Sequence, residues 1–458
     1  MNDAMKRIYQ LLAVVIWVIG LALPAAGANA LVWNRDTDRM TADLRGVTLW
    51  PLLEDVAHKT GWNIFVEPGT DNRVSTKFQD LPTGEALKMV IGDLNFAFVP
   101  QTNGPTSLYI FRTTMAKATQ AVVVSKPATH VPKELIVKLK PGADIDALAK
   151  QVGAKVIGRN DKLGIYRLQF SDDAASATAL GELQTNPDVQ AVDYNYYFDP
   201  PPAVSPVPAG ATVPALPSLT LDPTTPDGPH QVLVGLIDTP IQPQLLPASV
   251  TPFVESQISV AGDDGPPSST PSHATGMAQT IYEAMAQSAG GTTSAQILPV
   301  DVYGADPTTT SWNVALGIQA AVDKGANVLN LSLGSSGDST VLDSVIAQAE
   351  AGGVLIFAAA GNQPVNTPTY PAAIPGVNAV TAVQQGQIAP YADYGSFVDM
   401  ALPGTSIIYA GSQAYMVQGT SVSTAYATGV AAGTKTADGY GWPQIQTLMQ
   451  QKFTVPVK

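Results

Sequence analysis

From about residue 231 onward, short apolar runs alternate with stretches of helical periodicity. The continuous apolar runs predict buried strands at 232–237, 297–302, 328–333 and 354–360. Apolar positions with helical spacing predict helices at 273–286, 315–324 and 341–351. Strands that alternate with helices are typical of an α/β fold, in which a parallel sheet carries helices on both faces. In such folds, functional side chains gather at the carboxyl ends of the strands.

Two small units of mixed pattern precede this region, so we expect two α+β domains ahead of the parallel sheet. Residues 31–115 show the order β-α-β-β-α-β-β, with helices at 50–59 and 83–94. Residues 132–198 show the order β-α-β-β-α-β, which is the ferredoxin-like arrangement.

The stretch 199–229 is crowded with Pro, Ala, Thr and Ser. Proline fixes φ and lacks an amide donor, so this composition predicts a linker without packed elements. Such a linker is also a place where a protease could cut. The last domain then covers residues 230–458.

The amino terminus has the layout of a secretory signal over residues 1–30. Lys6 and Arg7 precede an apolar run at 11–23, Pro24 breaks it, and small residues follow at 28–30. The alternative is an uncleaved membrane anchor, but the run is short for a span of roughly 20 residues. We therefore expect export, with the secreted and the periplasmic or envelope-bound forms both open.

Composition excludes some classes of function. The chain of 458 residues carries a net charge of −13, which argues against nucleic-acid binding, because that function needs a basic surface. It contains no cysteine, so it has no disulfide and no cysteine-based metal or redox site. The sequence identifies no cofactor and no metal site. Calcium binding stays open, although no Asp/Glu cluster with clear calcium-ligand spacing supports it.

Four short segments carry candidate chemistry in the order Asp, His, Asn, Ser. Asp238 follows an apolar strand, where a buried carboxylate can orient an imidazole. His273 precedes a helix of small residues, and its imidazole can take and return a proton near neutral pH. Asn362 follows a strand of alanines, and Ser421 stands at the start of a predicted helix. Each segment alone is more simply a turn or a helix cap, whereas the ordered set predicts a shared site.

With this set, residues 231–452 resemble the subtilisin-like serine protease family, peptidase S8. The segments at 327–334, 370–373 and 395–404 support the resemblance. It implies a subtilisin-like parallel sheet and a serine endopeptidase that acts on protein or peptide substrates. Ser421 would be the nucleophile, His273 the general base and then acid, and Asp238 the group that orients His273. Asn362 and the backbone amide of Ser421 would bind the oxyanion.

The resemblance also implies where substrate binds. Ser332, Leu333 and Gly334 would form an exposed strand edge to which substrate adds as a β-strand. The pocket for the side chain before the cut would be lined by Ala358, Ala359, Ala360 and Gly361.

The upstream domains carry resemblances of their own. The segments at 134–142 and 186–192 resemble the propeptide of subtilisin-like proteases, which implies a zymogen whose own propeptide is inhibitor and folding chaperone. The segments at 42–47, 60–66 and 81–87 resemble the short N-terminal domain of secretins and TonB-dependent receptors. That resemblance implies an envelope protein as a partner.

Some positions depart from the family pattern. Ala274 and Gly276 stand where Gly and a second His are usual, and Pro240 stands where Gly is usual. The serine motif continues with residues 422–425, Val-Ser-Thr-Ala, instead of Met-Ala-Thr-Pro. The alternative function is therefore a weak or inactive protease-fold scaffold in the cell envelope. All four polar positions are nevertheless filled, which disfavours this alternative.

Overall fold

The structure is a computed structural model. It describes residues 30–34, 37–60, 62–70, 72–99, 106–122, 129–208, 210–222, 231–263, 265–266 and 268–456. The chain divides into two compact units, one ending at Val124 and one beginning at Ser125. The predicted secretory signal lies outside the described residues, apart from Ala30. Of the helices that the structure describes, none has the length and apolar character needed to cross a membrane.

The first unit contains two small sheets and two helices. Its strands are β1 Ala30–Asn34, β2 Arg39–Thr48, β3 Asn63–Val66, β4 Arg73–Pro82, β5 Asn95–Val99, β6 Ser107–Phe111 and β7 Gln120–Val122. Its helices are α1 Leu49–Thr60 and α2 Thr83–Ile91. The sheets have the strand orders β1-β2-β4 and β5-β6-β3-β7. The predicted order is found from β2 to β6, and β1 and β7 are additional strands.

The core of this unit forms because both helices are amphipathic. Leu53 and Val56 on α1, and Leu87 and Val90 on α2, are at most 1% exposed and belong to one apolar cluster. These residues recur three apart on each helix, so they share one face and bury it against the sheets.

The second unit begins with the ferredoxin-like order that the sequence predicts. The elements are β8 His130–Leu139, α3 Ile145–Gln151, β9 Lys155–Asn160, β10 Ile165–Gln169, α4 Asp173–Gln184 and β11 Val189–Phe198. The carboxylates of Asp144 and Asp172 accept backbone N–H groups at the first turns of α3 and α4. These caps start both helices where the sequence predicts them.

A large sheet forms the centre of the second unit. Its strands are β14 Leu233–Asp238, β15 Ile258–Ser259, β17 Gln296–Asp301, β19 Val328–Leu331, β20 Leu355–Ala359, β21 Asn378–Gln384, β22 Gln387–Ile388 and β23 Met400–Pro403. The order is β15-β17-β14-β19-β20-β21-β22, with β23 also paired to β21. All described pairs in it are parallel except β21 with β22.

Helices cover both faces of this sheet, so the predicted fold class is confirmed. They are α5 His273–Ser288, α6 Ser311–Asp323, α7 Thr340–Ala351, α8 Thr420–Asp438 and α9 Trp442–Lys452. One apolar cluster joins the sheet to α5 and α8, and the other joins it to α6 and α7. Successive strand residues point to opposite faces, which is why both clusters draw on the same strands. Helix α6 begins before the predicted position because Thr310 caps it by accepting the N–H of Asn313.

The sheet of the ferredoxin-like domain packs against α6 and α7. The side-chain oxygen of Asn195 accepts the backbone N–H of Trp312 in the first turn of α6 at 3.1 Å. The carboxylate of Asp193 accepts the N–H of Val341 in the first turn of α7 at 3.0 Å. Helix amino termini have unpaired N–H groups, so both residues of β11 satisfy donors of another domain.

The expectation that no packed element forms between 199 and 229 is wrong for residues 204–222. Strand β12, Ser205–Pro206, pairs with β25, Gln413–Gln418, which also pairs with β24, Thr405–Ala410. Strand β13, Thr220–Leu221, pairs in parallel with β16, Thr292–Thr293. Leu219 is buried in the core of the sheet, and the carbonyl of Pro217 accepts the hydroxyl of Tyr282. Two-residue strands need few amide donors, so the apolar residues between the prolines can still pack.

Candidate active site

A carboxylate and an imidazole meet where β14 ends and α5 begins. Asp238 is the last residue of β14 and is 2% exposed, and His273 is the first residue of α5 and is 6% exposed. The Nδ1 atom of His273 lies 2.8 and 2.9 Å from the two carboxylate oxygens of Asp238. The side chain of Thr239, which follows Asp238, accepts the N–H of Ala274 at 3.0 Å. This bond therefore ties the end of β14 to the start of α5, directly beside the contact between Asp238 and His273.

The other ring nitrogen of His273 is available for chemistry. Nε2 is buried and has no hydrogen-bond partner among the described residues. When Nδ1 carries the proton shared with Asp238, Nε2 carries a lone pair and can accept a proton. A buried polar atom without a partner is uncommon in folded proteins, and a catalytic role is one reason for it.

Ser421 lies in the first turn of α8, which packs closely against α5. A side chain at Gly429 of α8 would collide with the carbonyl of Ile281 of α5, so glycine permits this approach. His273 and Ser421 both belong to the amino-terminal turns of these neighbouring helices. The hydroxyl of Ser421 donates to the carbonyl of Ser332 at 3.2 Å. The hydrogen bonds described for Ser421 thus hold its hydroxyl at Ser332 and not at His273.

Asn362 is fixed beside the start of α8. Its side-chain oxygen accepts the backbone N–H of Thr420 at 2.9 Å. Its Nδ2 is therefore the end of the amide that can donate to a further group. Gly361 before it has a φ of +116°, and a side chain there would collide with the carboxylate of Asp393.

Asp393 is a functional candidate that the sequence reasoning missed. It is 1% exposed, and its Oδ1 accepts the N–H groups of Gln363 at 2.7 Å and Val365 at 3.2 Å. Its own N–H donates to the carbonyl of Gly361 at 2.9 Å. Asp393 therefore holds the loop on both sides of Asn362, through its backbone N–H before that residue and through its carboxylate after it. A single Asp in a loop gives no signal of this in the sequence.

A groove runs past these side chains. Its lining contains Ser421 and Asn362 together with five of the predicted substrate-binding residues, namely Ser332, Leu333, Gly334, Ala359 and Gly361. Ala358 and Ala360, which were predicted in the same lining, are fully buried and are not part of it. Side chains alternate between the two faces of a strand, so only Ala359 of the three alanines faces the groove. Ala358 instead belongs to the core under α6 and α7.

The end of β11 leads to this groove as a strand. Tyr197 and Phe198 pair with β18, Thr309–Thr310, in an antiparallel register. On the opposite side, the hydroxyl of Ser335 donates to the carbonyl of Tyr197 at 2.8 Å. Phe198 is 1% exposed and joins the core under α6 and α7. The chain thus lies between two neighbours and is anchored by one aromatic side chain.

The next residues continue toward Ser421. The N–H of Asp199 donates to the carbonyl of Gly334 at 3.2 Å, so this strand runs antiparallel to 332–335. The hydroxyl of Tyr303 contacts the carbonyl of Asp199 at 3.3 Å. Burial raises the pKa of Tyr303 well above its usual value, and the charges of Asp238 and Asp199 add to the shift, so the phenol stays a donor. The three prolines at 200–202 line the groove together with Ser421.

Carboxyl groups meet where β11 packs against α7. Burial, followed by the charges of Asp338 and Asp193, raises the pKa of Asp343 from 3.8 to about 6. Burial also raises the pKa of Asp193, although its bonds to Thr340 and Val341 oppose this effect. Among the residues that the structure describes, no group of three or more His, Asp or Glu residues is arranged to hold a metal ion.

The fold is thus a parallel α/β domain in which Asp238 contacts His273, and in which Ser421 and Asn362 line a groove. Residues 230–454 match the model of the subtilase family, and residues 116–195 match that of the fervidolysin N-terminal prodomain. The chain is therefore similar to the subtilase family over 230–454 and to a prodomain of the fervidolysin kind over 116–195.

Individual relatives agree with these matches. The chain is 33% identical over 230 residues to a thermostable alkaline protease of Halalkalibacterium halodurans, covering 48% of this chain and 62% of that protein. It is 34% identical over 164 residues to subtilisin BL of Lederbergia lenta, covering 35% and 61%. The chain thus spans less than two thirds of the length of these relatives. The crystal structure of fervidolysin from Fervidobacterium pennivorans, described as a keratinolytic enzyme related to subtilisin, supports the fold with a TM-score of 0.54. It is 20% identical and covers 70% of this chain and 57% of that one.

Proposed function

We propose that the protein is a serine endopeptidase that is made as an exported precursor and hydrolyses peptide bonds through an acyl-enzyme. The observation that carries the proposal is the buried contact of Asp238 with Nδ1 of His273, which leaves Nε2 without a partner, while Ser421 at the start of the neighbouring helix lines the groove. The match to the subtilase family over 230–454 supports the same reaction.

The first half of the reaction acylates Ser421. Its hydroxyl leaves the carbonyl of Ser332, transfers its proton to Nε2 of His273 and forms a bond to the substrate carbonyl carbon. Asp238 stabilises the imidazolium that results and keeps the ring in place. The imidazolium then protonates the leaving amine, and the peptide bond breaks. In the second half, water gives a proton to His273 and attacks the ester carbonyl carbon. His273 then returns that proton to the oxygen of Ser421 as the ester bond breaks, which releases the acid and restores the hydroxyl.

The oxyanion that forms in each half is bound by two donors. We assign them to Nδ2 of Asn362 and the backbone N–H of Ser421 at the start of α8, where the helix dipole favours negative charge. The bond from Thr420 to the oxygen of the Asn362 amide supports this orientation, because it leaves the nitrogen as the free end. Asp393 supports it as a positioning residue through the loop.

The substrate is an extended protein segment. The carbonyl of Gly334 and strand β18 already pair with a segment of this chain, and a substrate would use the same backbone groups. Ala359 adds only a methyl group to the lining that contains Ser421, and Gly361 adds no side chain.

The domain at 132–198 acts as inhibitor and folding chaperone of the protease. The contacts of Asp193 and Asn195 with the first turns of α7 and α6 support this role, as does β11, which leads directly into the residues 199–202 that line the groove. A folding template suits a parallel sheet, because its contacts are far apart in sequence and form slowly.

The amino-terminal part of the chain adds two further proposals. The segment 1–30 directs export, and the domain at 31–115 binds an envelope protein in the manner of the short N-terminal domains that it resembles. Fractionation of cells that produce the full chain tests the first proposal, and cross-linking from the domain at 31–115 tests the second. A chain that stays in the cytoplasm would contradict export.

Hydrolysis of a denatured protein substrate tests the central proposal. The comparison uses the protein after its groove has been opened, in three forms: the parent, Ser421→Ala and Ser423→Ala. Ser423 is a matched control because it is a buried serine on the same helix, two residues further on, and its hydroxyl donates to the carbonyl of Leu402. We expect activity in the parent and in Ser423→Ala and none above background in Ser421→Ala. Equal activity in Ser421→Ala would contradict the proposal, and inactivity of all three would favour the scaffold alternative.

A further inference from the structure

The segment in the groove has a register that the contacts define. Asp199 donates its N–H to the carbonyl of Gly334, and Ser335 donates its hydroxyl to the carbonyl of Tyr197, so the two segments run in opposite directions. In an antiparallel ladder, hydrogen-bonded pairs recur every second residue on each strand. The next such pair after Asp199 and Gly334 is therefore Pro201 and Ser332. Ser332 is also the residue whose carbonyl holds the hydroxyl of Ser421.

Proline cannot complete this pair. Pro201 has no N–H to donate, so the carbonyl of Ser332 lacks the donor that an ordinary residue would supply at this register position. It accepts the hydroxyl of Ser421 instead, at 3.2 Å. Nε2 of His273 is left without a partner among the residues that the structure describes. The proline thus favours an arrangement in which the nucleophile is bonded away from its base.

The bond after Pro201 is also poorly suited to acyl transfer. Its nitrogen belongs to the ring of Pro202, so the amide is tertiary and the ring fixes its φ. The ring of Pro202 faces Gly419, where a side chain would bring its Cβ to 3.4 Å from Cγ of the proline. Transfer to the nucleophile requires the nitrogen to turn toward the proton on His273, and a ring that fixes φ resists that movement.

The segment 199–202 is anchored on both sides, so it cannot slide to bring another of its peptide bonds to Ser421 in place of the bond between Pro201 and Pro202. Upstream, Phe198 is buried and β11 pairs with β18. Downstream, β12 pairs with β25, and Leu219 is buried in the core of the sheet. A different bond could reach Ser421 only after one of these anchors had come loose.

We propose that Asp199–Pro202 is an inhibitory segment that Ser421 does not cut, and that the groove is opened by hydrolysis at another bond by a second protease molecule. This inference rests on the proposed function and deepens it. The prodomain and the protease domain would then remain one inactive chain until the second protease molecule cuts it. The prolines, and not distance from the nucleophile, keep the bond between Pro201 and Pro202 intact.

The test compares purified full-length chains by intact mass and by sequencing of new amino termini. The parent is compared with Pro201→Ala combined with Pro202→Ala, which restores both N–H groups, and with Pro208→Ala, an exposed proline outside the groove. Each is also made with Ser421→Ala. We expect the parent and Pro208→Ala to stay whole, and the double variant to acquire a new amino terminus at 202 only when Ser421 is present.

A serine-directed fluorophosphonate then reports whether the groove is open. Limited digestion with thermolysin, stopped with phosphoramidon, supplies the second protease, and as a metalloprotease it does not take the label. We expect labelling of Ser421 in the parent to rise at least about tenfold after digestion, since only the open fraction reacts.

Each outcome decides between the claims. A new amino terminus at 202 in the untreated parent would overturn the inhibitory segment and leave the proposed function standing. The proposal of an inhibitory segment is also overturned if the double variant stays whole although the thermolysin-opened protein takes the label. It is overturned as well if the untreated parent takes the label as fast as the opened protein. Absence of labelling in every opened form would overturn the proposed function itself.

Discussion

Replacing Asp343 by Asn should make the folded protein more stable at neutral pH and remove part of its pH dependence. The carboxyl of Asp343 is partly buried beside Asp338 and Asp193, which raises its pKa from 3.8 to about 6. In the unfolded chain the group loses its proton near the lower value, so the folded state binds more protons between these two values. The free energy of unfolding therefore falls as pH rises from about 4 to about 6 and stays lowered above that.

The size of this effect follows from the pKa. A shift from 3.8 to about 6 corresponds to at most about 3 kcal/mol of stability. Because the side chain is partly exposed, solvent screening reduces this to about 1–2 kcal/mol. Asn has nearly the same shape and carries no charge, so Asp343→Asn should regain this amount at pH 8 and change little at pH 4.

Urea unfolding at pH 4 and pH 8 measures the effect, with Ser421→Ala as the common background to prevent self-digestion. Asp306→Asn is the matched control, because it makes the same change at an exposed carboxylate. If Asp343→Asn lost as much stability between pH 4 and pH 8 as the background protein, the reasoning about this cluster would be refuted.

Three further substitutions test the site and its cover. Asp238→Asn should lower kcat of the opened protein by roughly 10⁴-fold, because the imidazole of His273 is then held in the wrong tautomer. This is the loss seen when the corresponding carboxylate of another serine protease is changed. Steady-state kinetics that show a loss of kcat under tenfold would contradict the role of Asp238. Asp393→Ala should lower kcat more than it raises KM, by up to about 10²–10³-fold, because the loop carrying Asn362 loses its acceptor, and Asp393→Asn should restore most of the loss. Equal effects of both variants, or a change confined to KM, would rule out this positioning role. Phe198→Ala should speed fluorophosphonate labelling of the uncut precursor, because Phe198 anchors the segment in the groove. Truncation of a fully buried Phe to Ala costs about 3–5 kcal/mol of stability. An unchanged labelling rate would show that the segment is held without Phe198.

The parallel sheet could be predicted because its strands are continuous apolar runs that end at chemically distinctive residues. Asp238 ends β14 and His273 begins α5 as the pattern indicated, and the structure brings their side chains into contact. The elements of both small domains also follow from periodicity, because the helices of the first are amphipathic and those of the second are capped by Asp residues.

Features that depend on long-range packing could not be read from the chain. The composition of 199–229 suggested a linker and gave no sign that Leu219 is buried. Its burial depends on a core formed by later residues. Three consecutive alanines looked equivalent, and only the direction of each side chain from its strand separates Ala359 from its neighbours. Asp393 was missed because its importance comes from backbone N–H groups about 30 residues away, which no sequence pattern displays.

The most direct test of the account is to map the fluorophosphonate adduct by mass spectrometry in the opened protein and in its His273→Ala variant. We predict a single adduct on Ser421 in the parent and labelling at least about 10²-fold slower in the variant, because the hydroxyl then lacks its base. An adduct on a different residue, or equal labelling of Ser421 without His273, would contradict the claim that Asp238, His273 and Ser421 act together.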